Sequence, residues 1–122
     1  MHVLADTNVW CDYFRDGEPG LNALLEYDFL AIHPLVIGEL SVGCLPNRLR
    51  TIKDLRSLPH LEPANHEESH YLLEQHVLWG KGLQWNDILI LASVVAAPDT
   101  LLWTKDKRLA SAAENFSVRY SP

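Results

Sequence analysis

Asp6, Glu39, Asp87 and Asp106 are acids placed where a sequence either excludes charge or ends an element. Glu39 is the only charge in the apolar stretch Pro34-Leu-Val-Ile-Gly-Glu-Leu-Ser-Val-Gly-Cys-Leu45. If that stretch is a helix, Leu35, Val36, Val42 and Gly43 lie one turn to either side of Glu39. A carboxylate on such a face loses hydration, so it must be neutral, paired or bound to a cation. Asp6 closes the run Val3-Leu4-Ala5, Asp106 follows Leu101-Leu102-Trp103-Thr104, and Asp87 opens another apolar run. Magnesium and manganese take hard oxygen ligands of this kind, with waters and substrate phosphate completing the shell. Carboxylates crowded together raise one another's pKa unless cations join them. With metal, such a pocket suits phosphodiester hydrolysis: a metal-activated water attacks, a carboxylate orients or deprotonates it, and metal neutralises the leaving oxygen. Each acid also has a plainer reading. Glu39 alone could be a buried glutamate bonded to backbone, and Asp6 and Asp87 alone could be helix caps. The set of four points to one acidic, metal-holding pocket.

The elements that position these acids follow from hydrophobic period and punctuation. Val3-Leu4-Ala5 reads as a strand, and Asp6-Thr7-Asn8 as a turn or cap opening a helix to about Arg15. Gly17, Pro19 and Gly20 punctuate, and Leu21 to Tyr27 reads as a short helix. Phe29-Leu30-Ala31-Ile32 is a buried strand ended by His33-Pro34, with Pro34 suited to the first turn of the Glu39 helix. Asn47 to Leu58 is an amphipathic helix with Leu49, Ile52, Leu55 and Arg56 at its spacing, and a brief strand is expected around Leu61. Asn65 caps a helix running to about Trp79; Gly80 and Gly82 break the chain, and Asn86-Asp87 opens an apolar helix to Ala97. Leu101 to Thr104 is a strand, a closing helix runs from Asp106 to Asn115, and Val118 to Tyr120 is a last strand. Strands alternating with helices predict an α/β fold, a mainly parallel β-sheet flanked by α-helices, as a single domain over residues 1–122. Ligands in such sheets bind outside the carboxyl ends of the strands, which is where Asp6 and Asp106 fall.

At 122 residues the chain can bury a core as one domain. Cys11 and Cys44 lie among apolar residues and read as reduced core thiols, not as a disulfide framework. The N-terminal residues do not read as a signal peptide, and the longest uncharged apolar run, Ile88 to Pro98, is short of membrane-spanning length. A cytoplasmic protein without membrane contact is the expectation. The net charge of −6 argues against a nucleic-acid coat protein but not against a nuclease, because acids gathered around a cation inflate the negative count. Arg48, Arg50, Lys53 and Arg56 recur at near-helical spacing, and Lys105, Lys107 and Arg108 surround Asp106. Either set could touch phosphates, although the first reads more simply as a solvated helix face.

Asp6-Thr-Asn-Val-Trp10 after a first strand resembles the opening motif of PIN-domain ribonucleases. Ile37-Gly-Glu39-Leu, Asn86-Asp87-Ile with its apolar helix, and Leu102-Trp-Thr-Lys-Asp106-Lys-Arg-Leu109 are similar to the family's other acidic motifs, in the family's order and across essentially the whole chain. His33-Pro-Leu-Val-Ile-Gly-Glu-Leu40 and Trp103-Thr-Lys-Asp-Lys-Arg-Leu109 look closest to the VapC-type toxins of bacterial toxin–antitoxin pairs. The resemblance implies a PIN-like fold and an endoribonuclease dependent on magnesium or manganese, cutting structured RNA of the tRNA or rRNA class. It implies that Asp6, Glu39, Asp87 and Asp106 are the metal-binding and catalytic acids, with Thr7, Asn8, Thr104 and Lys105 supporting them or touching substrate. It also implies a homodimer and a cognate antitoxin protein that blocks the acidic pocket. Trp79 and Trp85 belong to no motif; they either stack on unpaired bases or pack between helices.

A competing motif is His66-Glu67-Glu-Ser-His70, which matches the H-E-x-x-H pattern of zinc hydrolases. Glu68 sets a charge inside a helix that is usually buried, and Leu73 stands where the longer motif turns on Gly. Without that turn His76 lies about 9 Å beyond His70 and on another face. Ligand count and geometry therefore fall short of a zinc site. A phosphotransferase with Asp6 as nucleophile is weakened by Asn8, where a second acid is often wanted. A non-catalytic α/β binding module would leave four acids in one cleft unexplained.

Overall fold

The apolar run after Met1 makes strand β1 (His2–Ala5), and it lies at the centre of the sheet. The computed structural model describes every residue from Met1 to Pro122. Helices α1 (Thr7–Asp16) and α2 (Pro19–Glu26) lead to strand β2 (Leu30–Ala31), which pairs in parallel with β1 through Val3–Leu30 and Leu4–Ala31. Helices α3 (Pro34–Val42), α4 (Arg48–Arg56), α5 (His66–Gln75) and α6 (Trp85–Ala96) precede strand β3 (Thr100–Trp103). Strand β3 lies parallel on the other side of β1, from His2–Thr100 to Ala5–Trp103, and α7 (Lys107–Asn115) follows it. The order β2-β1-β3 is wholly parallel, as the alternation of strands and helices predicts.

Val3, Leu4 and Ala5 are fully buried, because a central parallel strand has helices over both faces. Helix α6 has the same character: Ile88 to Val94 is buried without interruption, where α6 packs on α5, β3 and α7. Two further segments extend the sheet by single bridges, Ile32–His60 beside β2 and Leu102–Arg119 beside β3. The strands expected around Leu61 and over Val118–Tyr120 are therefore reduced to one bridge each. Leu102 N donates to Val118 O and Tyr120 N to Leu102 O, and the chain then ends at Pro122.

Other differences from the sequence reading have local causes. Helix α5 begins on a capping box, with Asn65 Oδ1 accepting from Glu68 N and Glu68 Oε1 from Asn65 N. It stops at Gln75, short of Trp79, because Val77 turns left-handed at φ 50°. Helix α4 buries only Leu55, and Leu49 is 87% exposed, so the apolar spacing there overstated the buried stripe. Cys11 and Cys44 are both exposed rather than core thiols, since Cys11 sits on the outer side of α1 and Cys44 beyond the end of α3.

His33, which ends the β2 segment, is a buried polar group with every partner supplied. Its Nδ1 accepts from Leu35 N at 3.0 Å, which fixes the proton on Nε2, 3.0 Å from Ser93 Oγ. Ser93 Oγ donates to Leu89 O and accepts from Ala64 N, so one hydroxyl joins α3, α6 and the segment before α5. Burial pushes the imidazole pKa down to about 4. A depressed histidine pKa stabilises the fold above the unfolded value of about 6.5, and that contribution is lost as pH falls toward 4. The wild type should lose stability to urea between pH 6.5 and 4 relative to His33→Gln, which lacks the titrating group. Parallel pH dependences for the two proteins would show that the imidazole contributes nothing.

Candidate functional site

Asp6 follows the last residue of β1 and is the only buried carboxylate of the chain, with 6% of its surface exposed. The main chain holds it in register, because Asp6 N donates to Trp103 O at the end of β3. Its Oδ1 caps α1 by accepting from Thr7 N at 2.8 Å. Its Oδ2 accepts from Thr104 Oγ1 at 2.8 Å and from Asn8 Nδ2 at 3.3 Å. Burial pushes the Asp6 pKa up; the hydrogen bonds from Thr104 and Thr7 oppose that, and Glu39 and Asp106 add to it.

Thr104 and Asn8 extend this arrangement across the carboxyl edge of the sheet. Thr104 Oγ1 accepts from Asp106 N at 3.1 Å and lies 3.2 Å from Asn8 Nδ2. Asn8 Oδ1 accepts from Lys105 N at 3.0 Å, so one side chain links the start of α1 to the β3–α7 turn. That turn sets Asp106 as the cap of α7, with Oδ1 accepting from Arg108 N and Leu109 N. Asp87 stands in the first turn of α6, where its Oδ2 accepts from Gln84 N at 2.9 Å. Burial raises its pKa, the Gln84 bond opposes this, and the charges of Asp6 and Asp106 raise it further.

Glu39 reaches the same place by a different route from the one its neighbours suggest. Val36, Ile37 and Leu40 turn inward from α3, whereas Gly38 and Glu39 face outward and Glu39 is exposed. The expected loss of hydration on an apolar helix face does not occur. What ties Glu39 to the site is Thr7, whose Oγ1 donates to Glu39 Oε1 at 2.8 Å. Asp6 thus feels the charges of Glu39 and Asp106, and Asp87 those of Asp6 and Asp106, but no three of the acids form a group spaced to hold a metal ion.

The chemistry of the donors, though not their spacing here, suits a hard divalent cation. In both Asp87 and Asp106 one carboxylate oxygen serves the helix terminus while the other has no protein donor. A carboxylate that caps in this way keeps its second oxygen free. The side-chain donors of the four acids are all oxygens, the preference of magnesium and manganese rather than of a soft metal. Lys105 joins the network through its main-chain N–H to Asn8, while its Nζ is held by Asp12 at 2.6 Å and Glu18 at 2.7 Å.

The histidine motif has a packing role. His66 Nδ1 accepts from Trp85 Nε1 at 3.1 Å, and the rings of His66 and His70 lie 5.5 Å and 4.6 Å from that indole. Trp85 packs α5 against the start of α6, and no third histidine, cysteine or acid joins the pair in a metal-binding group. Trp79 is 58% exposed and has no aromatic partner. Sequence reasoning assigned no role to Asp12 and Glu18, which hold the Lys105 ammonium; their spacing from Lys105 carries no local signal.

The raised Asp6 pKa sets a sign for stability. A carboxylate whose pKa is raised by folding destabilises the ionised protein, and the penalty is relieved as pH falls through the folded pKa. In chelator at pH 7.5, Asp6→Asn should therefore melt at or above the wild-type temperature, with the difference shrinking toward pH 4. A variant that melts well below wild type in chelator would show that the hydrogen bonds outweigh burial.

A family model described as PIN domain matches residues 3–115 of the chain. The ribonuclease VapC32 of Mycobacterium tuberculosis, in strain CDC 1551 / Oshkosh and in strain ATCC 25618 / H37Rv, is 36% identical over 116 residues. Those residues span 95% of this chain and 94% of each relative.

Proposed function

The chain belongs to the PIN-domain family and to its VapC-type ribonucleases, and we propose that it is the toxin of a toxin–antitoxin pair, cleaving structured RNA with magnesium or manganese. The observation that carries this reading is the arrangement of oxygen donors around Asp6 at the carboxyl edge of the sheet. Asp6, Asp87 and Asp106 would hold the cation, with Glu39 beside them. A bound divalent ion supplies neutralising charge to the phosphate and makes water a better nucleophile.

The remaining work falls to the chain itself. Thr104 and Asn8 fix the Asp6 carboxylate in one orientation, so no reorganisation is needed when charge develops. Thr7 orients Glu39, an exposed acid tied to this network by that hydrogen bond, toward taking up the proton that water releases. The start of α6 and the start of α7 both face the site, and their backbone dipoles favour the negative charge of phosphate and carboxylate there. The RNA would be of the tRNA or rRNA class. The partner protein would be an antitoxin that covers this edge, and the active form would be a homodimer.

RNA cleavage by the purified protein should appear with magnesium or manganese and vanish in chelator. Asp6→Asn and Asp87→Asn should each lower the rate by at least about a hundredfold, the scale lost when a preorganised electrostatic group is removed. Manganese at a hundred times its dissociation constant should stabilise the wild type by about 2.7 kcal/mol. The Asp6→Asn protein should show much less of this stabilisation. Undiminished cleavage by both variants would place the chemistry elsewhere, and zinc-dependent activity lost in His66→Ala would favour the histidine motif.

A further inference from the structure

Beside the acidic edge lies a hollow of about 340 Å³ formed by Leu78, Lys81 and Leu83 on one wall and one face of α7 on the other. The α7 face presents Lys107, Arg108, Ser111 and Asn115, and no carboxylate lines the hollow. Lys81, Lys107 and Arg108 are exposed, and none of them belongs to an ion pair, although Arg15, Arg50, Lys105 and Arg119 all do. In a chain of net charge −6, three cations left unneutralised around one concavity make a local field opposite to that of the molecule. Arg108 lies flat against Gly82, where an added Cβ would come within 2.8 Å of Nη1. Gly82 also has φ +81°, a backbone conformation that strains any side chain placed there. The contact from Arg108 Nη1 to Gly82 O is 3.5 Å, too long to consume the donors of that group.

We infer that this hollow is a phosphate-binding groove that holds the RNA backbone flanking the scissile bond, with Lys81, Lys107 and Arg108 as its cations. The placement follows from the chain: Lys107 and Arg108 are the first two residues of the helix capped by Asp106. A strand whose scissile phosphate sits at the acids therefore meets these cations at a neighbouring phosphate. Arg108 presents a planar fork suited to phosphate oxygens, and Lys81 and Lys107 act as point charges. Ser111 and Asn115, one and two turns along α7, add neutral donors at the far end. This inference rests on the ribonuclease reading and adds the path of the substrate and the residues that set its affinity.

The test is the salt dependence of binding to fluorescein-labelled bulk transfer RNA in chelator, for wild type, Lys81→Ala/Arg108→Ala and Arg48→Ala/Lys53→Ala. The last variant removes two cations from the separate face of α4. The groove variant should weaken binding about tenfold at moderate salt and flatten the slope of log Kd against log salt by about one for each phosphate it no longer neutralises. In cleavage assays it should raise KM and leave kcat within about twofold. Its stabilisation by manganese should match wild type, which shows that the acids are undisturbed. An unchanged slope for the groove variant overturns the inference, as does a flattened slope for the α4 variant alone. If poly-glutamate binding is lost instead while RNA binding stays, the groove serves an acidic protein and the inference fails. Wild-type protein that neither binds nor cuts RNA overturns the ribonuclease reading itself, an outcome distinct from a wild type that cuts RNA and ignores the groove changes.

Discussion

Asp6 carries a carboxylate into the buried end of the central strand, and the surrounding structure is arranged around the cost of keeping it there. Its two oxygens are shared between Thr7 N, Thr104 Oγ1 and Asn8 Nδ2, which together join β1, α1 and the β3–α7 turn. These bonds oppose the desolvation that raises its pKa but do not cancel it, and the nearby charges of Glu39 and Asp106 push the same way. A site that remains electrostatically unfavourable after its hydrogen bonds are made has an unmet demand for positive charge. In the proposed reaction a bound cation would meet it.

The parallel sheet explains why these acids can converge at all. Parallel strands present their carboxyl ends at one edge, so Asp6 and the Thr104–Asp106 turn are neighbours although far apart in the chain. Helices α6 and α7 then begin at or near that edge, with Asp87 in the first turn of α6 and Asp106 as the cap of α7. A carboxylate that caps through one oxygen is held rigid while the other stays available. Helix capping would thus supply the preorganisation that the proposed oxygen-ligated metal site needs.

Charge is partitioned on the same edge. Lys105 is neutralised by Asp12 and Glu18, whereas its neighbours Lys107 and Arg108 remain unpaired over a hollow that no acid lines. Acidic residues that would oppose a polyanion are gathered where a metal can compensate them, and free cations lie beside them. The overall negative charge is therefore compatible with a nucleic-acid substrate, because affinity depends on the local field along the bound strand and not on the sum.

The strand–helix alternation, and the position of Asp6 and Asp106 just past two strands, were legible in the residues alone. So was the likeness of four motifs to one family. These are local facts: apolar runs, caps such as Asn65 with Glu68, and punctuation by glycine and proline. Glu39, Cys11 and Leu49 were misjudged for one reason, and Cys44 because it lies past the end of α3. An apolar neighbourhood along the chain does not say which side of a helix meets another layer, and α1, α3 and α4 bury only part of their surface. The last strand was likewise cut to a single bridge at Arg119 by the pairing available beside Leu102. Folding in three dimensions was needed to establish that Thr7 ties Glu39 to the site, that Asp12 and Glu18 hold the Lys105 ammonium, and that Trp85 occupies the two histidines of the zinc-like motif. Those outcomes depend on contacts between residues distant in sequence, whose partners are chosen when the layers pack.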